Sequence, residues 1–111
     1  MKHYNLVVLA NPVPGRDVEF NDWYDNVHIG DILAVPGFVA AKRYKLVSDQ
    51  KPHAPEVEWR YLAIYDMETD DPIAALAEVR RRDGTDQMVI SDAIDRSRTY
   101  ARIYEATAGE R

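Results

Sequence analysis

The stretch EFNDWYDNVH, residues 19–28, has the clearest periodicity in the sequence. Its aromatic and apolar side chains recur at the spacing of one face of an α-helix, and its acidic residues fall mainly on the other face. The inward set is Phe20, Trp23, Tyr24, Val27 and His28. The pattern predicts an amphipathic helix with Asp17 at its N-cap, which ends at Pro36-Gly37 or shortly before.

Outward from this helix, the sequence predicts four strands and a second helix. The strands are expected at residues 3–10, 38–47, 58–67 and 99–106. Asp71 and Pro72 are typical of an N-cap and a first helical position, so the second helix is expected to begin there and to end at Asp83-Gly84. Residues 48–55 are expected to form an exposed loop. The apolar segment 88–94 is expected to cover the end of the sheet as a helical turn, and to act as a lid.

The predicted element order is strand-helix-strand, twice over. This order is typical of the α+β ferredoxin-like βαββαβ sandwich, a four-stranded antiparallel sheet with helices on one face. We therefore expect one domain over residues 1–111. Both faces of the first strand carry large apolar side chains, such as Leu6 and Val7, so a monomer would expose an apolar sheet face. Pairing of two copies through that face predicts a homodimer.

Composition excludes several classes of protein. The 14 Lys and Arg residues against 19 Asp and Glu residues give a net charge of −5, which argues against a nucleic-acid partner. The absence of cysteine excludes disulfides and thiolate chemistry. No apolar run approaches the roughly 20 residues of a membrane span, and the start looks too short for a signal peptide, so a cytoplasmic protein without membrane partners is expected. His3 and His53 lie too far from His28 in the sequence to predict a metal site.

Tyr24 and His28 are the first candidates for chemistry. They are four residues apart and therefore neighbours on one helix face, beside Phe20 and Trp23. An imidazole next to a phenol in an apolar aromatic pocket can act as a general acid or base. Asp31 is placed to orient the imidazole ring. The competing interpretation, that His28 is an ordinary core residue, has about equal weight on the sequence alone.

The predicted third strand supplies further aromatic candidates. Trp59, Tyr61 and Tyr65 are expected on one of its faces, and together with the helix they could line a pocket for a flat aromatic ligand. Tyr24, or Tyr61 in its place, is the candidate donor of a hydrogen bond to a developing oxyanion. The candidate substrate contacts are Phe20, Trp23, Asp31 and Trp59. For most of these aromatic residues a role in the core or the dimer interface is the stronger alternative.

The helix at residues 19–28, followed by Val35-Pro36-Gly37-Phe38 and Ala41-Lys42-Arg43-Tyr44, resembles the EthD-like group of dimeric α+β barrel proteins. The resemblance extends more loosely through the Asp71-Pro72 helix start to the last strand. It implies a ferredoxin-like protomer, a barrel formed by two sheets, and a ligand pocket between sheet and helices. It also implies His28 as the motif histidine and Tyr24 as its aromatic neighbour.

This superfamily includes polyketide cyclases, anthrone decarboxylases, hydroxynitrile lyases, cofactor-free monooxygenases, haem-binding enzymes and accessory proteins of ether degradation. No motif position in this chain identifies a haem ligand. The resemblance and the residues together favour a cofactor-independent lyase that cleaves a C–C bond in an aromatic or polyketide-like substrate and releases a small aldehyde or CO2. A non-catalytic binding or accessory protein, and a cofactor-free monooxygenase, are the alternatives.

Overall fold

The computed structural model describes residues 1–47, 50 and 58–109. Apart from residue 50, the loop predicted over residues 48–55, with His53, lies outside the described residues. The observed elements are β1 (Lys2–Ala10), α1 (Asp17–Trp23), a π-helical turn (Tyr24–His28), α2 (Ile29–Leu33), β2 (Phe38–Lys45), β3 (Tyr61–Thr69), α3 (Pro72–Arg82) and β4 (Tyr100–Tyr104). Within the described residues, no helix is long and apolar enough to cross a membrane.

The four strands form one antiparallel sheet in the order β2-β3-β1-β4. This is the ferredoxin-like arrangement, and it confirms the predicted fold class of the protomer. β1 and β3 are central and pair along nine residues each, from Lys2 opposite Thr69 to Ala10 opposite Tyr61. The four strands, the two helical regions and their order were predicted correctly, with strand ends that differ by at most three residues.

The core lies between the helices and one face of the sheet. Leu6, Ala63, Tyr65 and Met67 are buried on this covered face. Phe20 and Tyr24 pack onto the same face from the first helix, which confirms its predicted inward side. The exception is Val27, which was predicted inward and is exposed. The π-helical turn holds more residues than an α turn and therefore shifts the direction of the side chains that follow.

The two helix starts have different outcomes. The predicted cap of α3 is confirmed, because the Asp71 carboxylate accepts a hydrogen bond from the Ala74 N–H at 3.0 Å and Pro72 follows it. The predicted cap of the first helix is wrong. Asp17 is already helical and its carboxylate turns toward the sheet, where it pairs with the Arg60 guanidinium at 2.7 Å. A long-range ion pair replaces the local capping bond.

The connection between α2 and β2 needs glycine. Gly37 has a φ of 101°, in the region that side chains with a Cβ rarely adopt. A Cβ built there would lie 3.4 Å from the Thr69 Cβ and 3.5 Å from the Ala75 Cβ. The Pro36-Gly37 pair therefore both ends the helix and brings the chain close to β3 and α3, as the sequence predicted for the helix end.

The opposite face of the sheet carries no helix in the described part of the chain. We call it the open face. The strand registers place on it the side chains of Asn5, Val7, Leu9, Lys42, Tyr44, Leu62, Ile64, Asp66, Tyr100, Arg102 and Tyr104. Tyr44 and Tyr104 are 42% and 49% exposed. The open face is thus a mixed surface with an apolar centre.

Candidate functional site

Tyr24 and His28 stand at the two ends of the π-helical turn in the middle of the first helix. The backbone continues in helical geometry from α1 through this turn into α2, without a break at Gly30. Single π-helical turns inside α-helices are frequent at functional sites. The turn therefore marks the same two residues that the sequence selected from their spacing.

The His28 ring is held between two aromatic rings. It stacks on Trp23 with ring centroids 4.6 Å apart and an interplanar angle of 24°. It meets Tyr24 edge-on, with centroids 5.0 Å apart at 90°. The Trp23 indole is itself fixed, because its Nε1–H donates to the Val89 carbonyl at 3.0 Å. These contacts fix the orientation of the imidazole, to which no described residue makes a hydrogen bond.

A cavity of about 210 Å³ lies beside these rings, between the first helix, the covered face of the sheet and the segment 88–94. Most of its wall is apolar or aromatic. The lining residues are Leu6, Val8, Trp23, Tyr24, His28, Ile32, Tyr65, Val79, Asp83, Met88, Ile90, Ile94, Arg96, Thr99 and Ala101. The exposed members, Asp83, Arg96 and Thr99, mark the rim at which the cavity opens to solvent.

Burial decides the protonation state of His28. It lowers the pKa of the imidazole from 6.5 to about 4, Arg96 and Arg43 also lower it, and Asp83 acts in the opposite direction. The Nδ1 atom is buried and has no hydrogen-bond partner among the described residues. At neutral pH the ring is therefore uncharged, and Nε2 is the nitrogen left to meet a molecule in the cavity.

Two phenols complete the polar part of the cavity wall. The Tyr65 hydroxyl donates to the Tyr24 oxygen at 3.5 Å, a long hydrogen bond between two buried groups. Burial raises the pKa of both phenols, and the Arg43 charge partly offsets this. Both phenols therefore stay protonated, and Tyr24, which accepts from Tyr65, keeps its own proton for another acceptor.

Arg43 on β2 supports Tyr24 from behind. Its guanidinium lies 4.2 Å from the Tyr24 ring centroid, within cation–π distance. It also donates to the Asp25 carboxylate at 2.8 Å and to the Asn21 side-chain oxygen at 2.9 Å. Since both acceptors lie on the first helix, Arg43 joins β2 to the helix at the point where the π-helical turn begins.

Of the seven predicted site residues, the structure brings Trp23, Tyr24 and His28 together at the cavity. Phe20 is fully buried behind Tyr24, with ring centroids 5.5 Å apart, and does not line the cavity. The Tyr61 hydroxyl donates to the Asp17 carboxylate at 3.3 Å, on the far side of Phe20. Tyr61 therefore packs against Phe20, behind the cavity wall, and does not line the cavity.

The last two predicted site residues also lie apart from the cavity. Trp59 comes before β3, so the prediction that it shares a strand face with Tyr61 and Tyr65 is wrong. Its indole N–H donates to the Arg98 carbonyl at 3.3 Å and its ring lies against Tyr100. Asp31 is partly buried but makes no hydrogen bond to His28 within the described residues, so the contacts with Trp23 and Tyr24, and not Asp31, orient the ring.

The segment Met88–Ile94 covers the cavity, but not as the predicted helical turn. It is an irregular strap, held by backbone bonds from Val13 N–H to the Ala93 carbonyl at 2.7 Å and from Asp95 N–H to the Asn11 carbonyl at 2.9 Å. Met88 is buried and lines the cavity. Long-range hydrogen bonds to the loop after β1 therefore replace local helical bonds.

Sequence reasoning missed three polar residues that line the cavity, Asp83, Arg96 and Thr99. Tyr65 was expected to help line a pocket but was given no part in the chemistry, although its place two residues from Ala63 on the covered face was a usable signal. Asp83 and Arg96 were seen only as the end of a helix and as part of a loop. They meet across the rim as an ion pair at 2.9 Å, thirteen residues apart, and no local pattern predicts such a pair.

The placement of His, Asp and Glu side chains bears on whether the site can hold a metal ion. Among the described residues, no group of three or more His, Asp or Glu side chains is placed to hold a metal ion. The site is thus built from one neutral imidazole, two phenols and an ion pair at the rim.

No family model matches the chain, and no curated protein matches it significantly. Among solved structures, a "putative monooxygenase" from Shewanella loihica matches with a TM-score of 0.61 at 12% identity, over 97% of each chain. An EthD family protein from Bacillus halodurans matches with a TM-score of 0.53 at 16% identity, over 95% of this chain and 99% of that one.

An EthD-like protein from Ralstonia eutropha matches with a TM-score of 0.59 at 16% identity, over all of this chain and 97% of that one. The resemblance to the EthD-like group that the sequence predicted is confirmed at the level of the fold. At these identities the likeness extends to the fold alone.

Proposed function

We propose that the cavity beside His28 binds a small single-ring aromatic molecule and that the protein is an enzyme that works without a cofactor by stabilising an oxyanion formed on that molecule. The observation that carries the proposal is the apolar, ring-lined cavity of about 210 Å³ with an imidazole and a phenol in its wall. A cavity of this kind excludes water, and polar groups fixed in it act strongly on a bound molecule.

The volume of the cavity supports a single ring. An apolar protein cavity of about 150 Å³ holds one benzene molecule. The cavity of about 210 Å³ leaves room for one or two substituents more. A fused polyketide would need the strap Met88–Ile94 to move away. The aromatic part of the predicted substrate class is therefore favoured over the polyketide part.

The protonation states suggest how the polar groups act. With a pKa of about 4, His28 is a weak base, and taking a proton from a phenol of pKa about 10 would cost about 8 kcal/mol. An unpaired buried N–H is costly, so the neutral ring is better placed with its proton on Nε2. His28 and Tyr24 then serve as two neutral donors to a developing oxyanion, a role worth a few kcal/mol.

This arrangement suits lyase chemistry. When a C–C bond next to a conjugated carbonyl group breaks and a small aldehyde or CO2 leaves, the electron pair moves onto the carbonyl oxygen of the ring fragment. His28 Nε2–H and the Tyr24 hydroxyl stabilise that oxyanion by hydrogen bonds, and the carbon then takes a proton from solvent at the rim of the cavity. When an aldehyde leaves, its hydroxyl proton passes to solvent, and when CO2 leaves, the substrate enters as the carboxylate. We place Trp23 as the wall against which the substrate ring packs.

A cofactor-free monooxygenase is the second candidate function, favoured by the Shewanella loihica neighbour. In that reaction the aromatic substrate itself supplies the electrons to O2, and the same two donors would stabilise its anion. Consumption of O2 distinguishes this reaction from a lyase, which consumes none and releases an aldehyde or CO2.

The homodimer is part of the proposal. No helix in the part of the chain that the structure describes covers Val7, Leu9 and Leu62 on the open face, and a second copy would bury them by two-fold pairing. Light scattering is expected to give twice the mass of the chain, and Leu62→Glu to give a monomer. A monomeric native protein would contradict this part.

The function is tested by turnover of single-ring phenols, with release of aldehyde or CO2 and uptake of O2 followed in parallel. His28→Ala and Tyr24→Phe are expected to lower kcat by at least tenfold, since each removes a donor of the oxyanion. His3→Ala is the matched control, because His3 is an exposed residue on β1. Tyr61→Phe is expected to lower kcat less than Tyr24→Phe does.

Two results would contradict the proposal in different ways. Unchanged turnover in His28→Ala would remove the imidazole from the mechanism. Tight binding of phenols without turnover of any of them would make the protein a binding or accessory module that uses the same cavity.

A further inference from the structure

The rim of the cavity carries the two charged side chains of its wall. Asp83 is the C-cap of α3, and Arg96 lies in the connection that leads to β4. They face the same cavity as His28 and lie where it opens to solvent. A molecule whose ring occupies the apolar interior would therefore place one substituent between these two charges.

The Asp83–Arg96 pair leaves much of the guanidinium unused. Nη2 of Arg96 donates to both Asp83 carboxylate oxygens, at 3.1 and 2.9 Å. Nη1 and Nε make no hydrogen bond within the described part of the chain, and 55% of the Arg96 side chain is exposed. Asp83 thus holds the guanidinium at the rim while two of its three nitrogens stay free to donate.

We propose that Arg96 is a specificity residue that binds an acidic substituent of the ligand, so that the preferred ligands are single-ring aromatic acids. This inference rests on the proposed function of the cavity. A guanidinium N–H donates a charge-assisted hydrogen bond to a carboxylate, and the free Nη1 and Nε of Arg96, on either side of the Nη2 that Asp83 holds, each offer such a donor. The Asp83 oxygens, by contrast, already accept from Arg96, so a cationic ligand would have to displace it.

The expected preference is moderate. Asp83 lies close to the bound carboxylate and repels it, and the half-exposed rim lets solvent screen both interactions. We therefore expect an acid to bind about tenfold more tightly than its neutral isostere, the effect of one charge-assisted hydrogen bond at a wet site. The preference is expected to shrink with added salt.

The test compares 4-hydroxyphenylacetate with 4-hydroxyphenylacetamide by isothermal titration calorimetry. The two probes share the ring and the phenol and differ in the charge at the rim. The native protein is expected to prefer the acid about tenfold. Arg96→Gln is expected to keep the affinity for the amide and to bind the acid no more tightly than the amide, because the Asp83 carboxylate remains at the rim. Arg98→Gln is the matched control, since Arg98 is exposed in the same connection and does not line the cavity.

Equal binding of acid and amide by the native protein, or a preference that survives in Arg96→Gln, would overturn the inference. Binding of the amide is a separate readout of the cavity, so the proposed function can stand when the preference fails. If neither probe binds, both proposals are overturned. If Arg96→Gln does not fold, the salt titration of the native protein decides, because a preference independent of salt contradicts a charged contact at the rim.

Discussion

The free energy of unfolding of the native protein is expected to fall when the pH is lowered from neutral to mildly acidic. The replacement His28→Phe is expected to abolish most of this fall. The imidazole has a pKa of about 4 in the fold and of about 6.5 in the unfolded chain. Between these values the unfolded state binds the extra proton, so the free energy of unfolding falls as the pH falls. From about pH 7.5 to about pH 4.5 the loss amounts to about 2.5 kcal/mol.

Phenylalanine has no such proton to bind and keeps the stack on Trp23. The variant is therefore expected to lose about 2.5 kcal/mol less than the native protein over the same range. Carboxylates with a lowered pKa, such as Glu78 at about 2, add to stability above their unfolded pKa and lose that contribution mostly at lower pH, as the folded pKa is approached.

Urea unfolding at the two pH values, followed by circular dichroism at one protein concentration, measures this difference. The thermal midpoint should show it as a shift of about 10 °C for a chain of this size. His3→Gln is the control, because the exposed His3 side chain is not buried by the fold and the slope should persist. An unchanged pH dependence in His28→Phe would refute the burial of a neutral imidazole.

Four further substitutions test the fold around the site by the free energy of unfolding. Gly30→Ala should stabilise the fold by about 0.5–1 kcal/mol, since the new Cβ would meet no atom within 4 Å. Gly37→Ala should destabilise it by about 1–2 kcal/mol, because Gly37 has a positive φ. Effects of equal sign would contradict this pair of expectations. Asp71→Ala should cost about 1 kcal/mol through the lost cap of α3, and no change would show that the cap is dispensable. Arg43→Met should cost about 2 kcal/mol by removing two hydrogen bonds to the first helix, and a neutral result in urea unfolding would deny that link.

The fold could be predicted from local signals because each element carries its own. The 3.6-residue spacing around Trp23, the Asp71-Pro72 start and the Pro36-Gly37 stop depend only on neighbours in the sequence. Their order then leaves few ways to arrange four strands and two helices. Tyr24 and His28 could be selected for the same reason, since their contact is a local one along one helix.

What could not be predicted depends on contacts between distant segments. Asp17 looks like a cap until Arg60 is brought to it across the sheet. The Met88–Ile94 strap takes its shape from bonds to the loop after β1. Asp83 and Arg96 meet only because the end of α3 and the connection that leads to β4 meet at the rim. No signal in the sequence marks the π-helical turn, and this turn sets the direction of the His28 side chain.

The place at which phenol binds, measured by intermolecular nuclear Overhauser effects, tests the role of the cavity most directly. We expect contacts from the ring protons of phenol to the imidazole of His28 and to the indole of Trp23, which both line the cavity. Contacts to Tyr44 on the open face in their place, or no saturable binding, would contradict it.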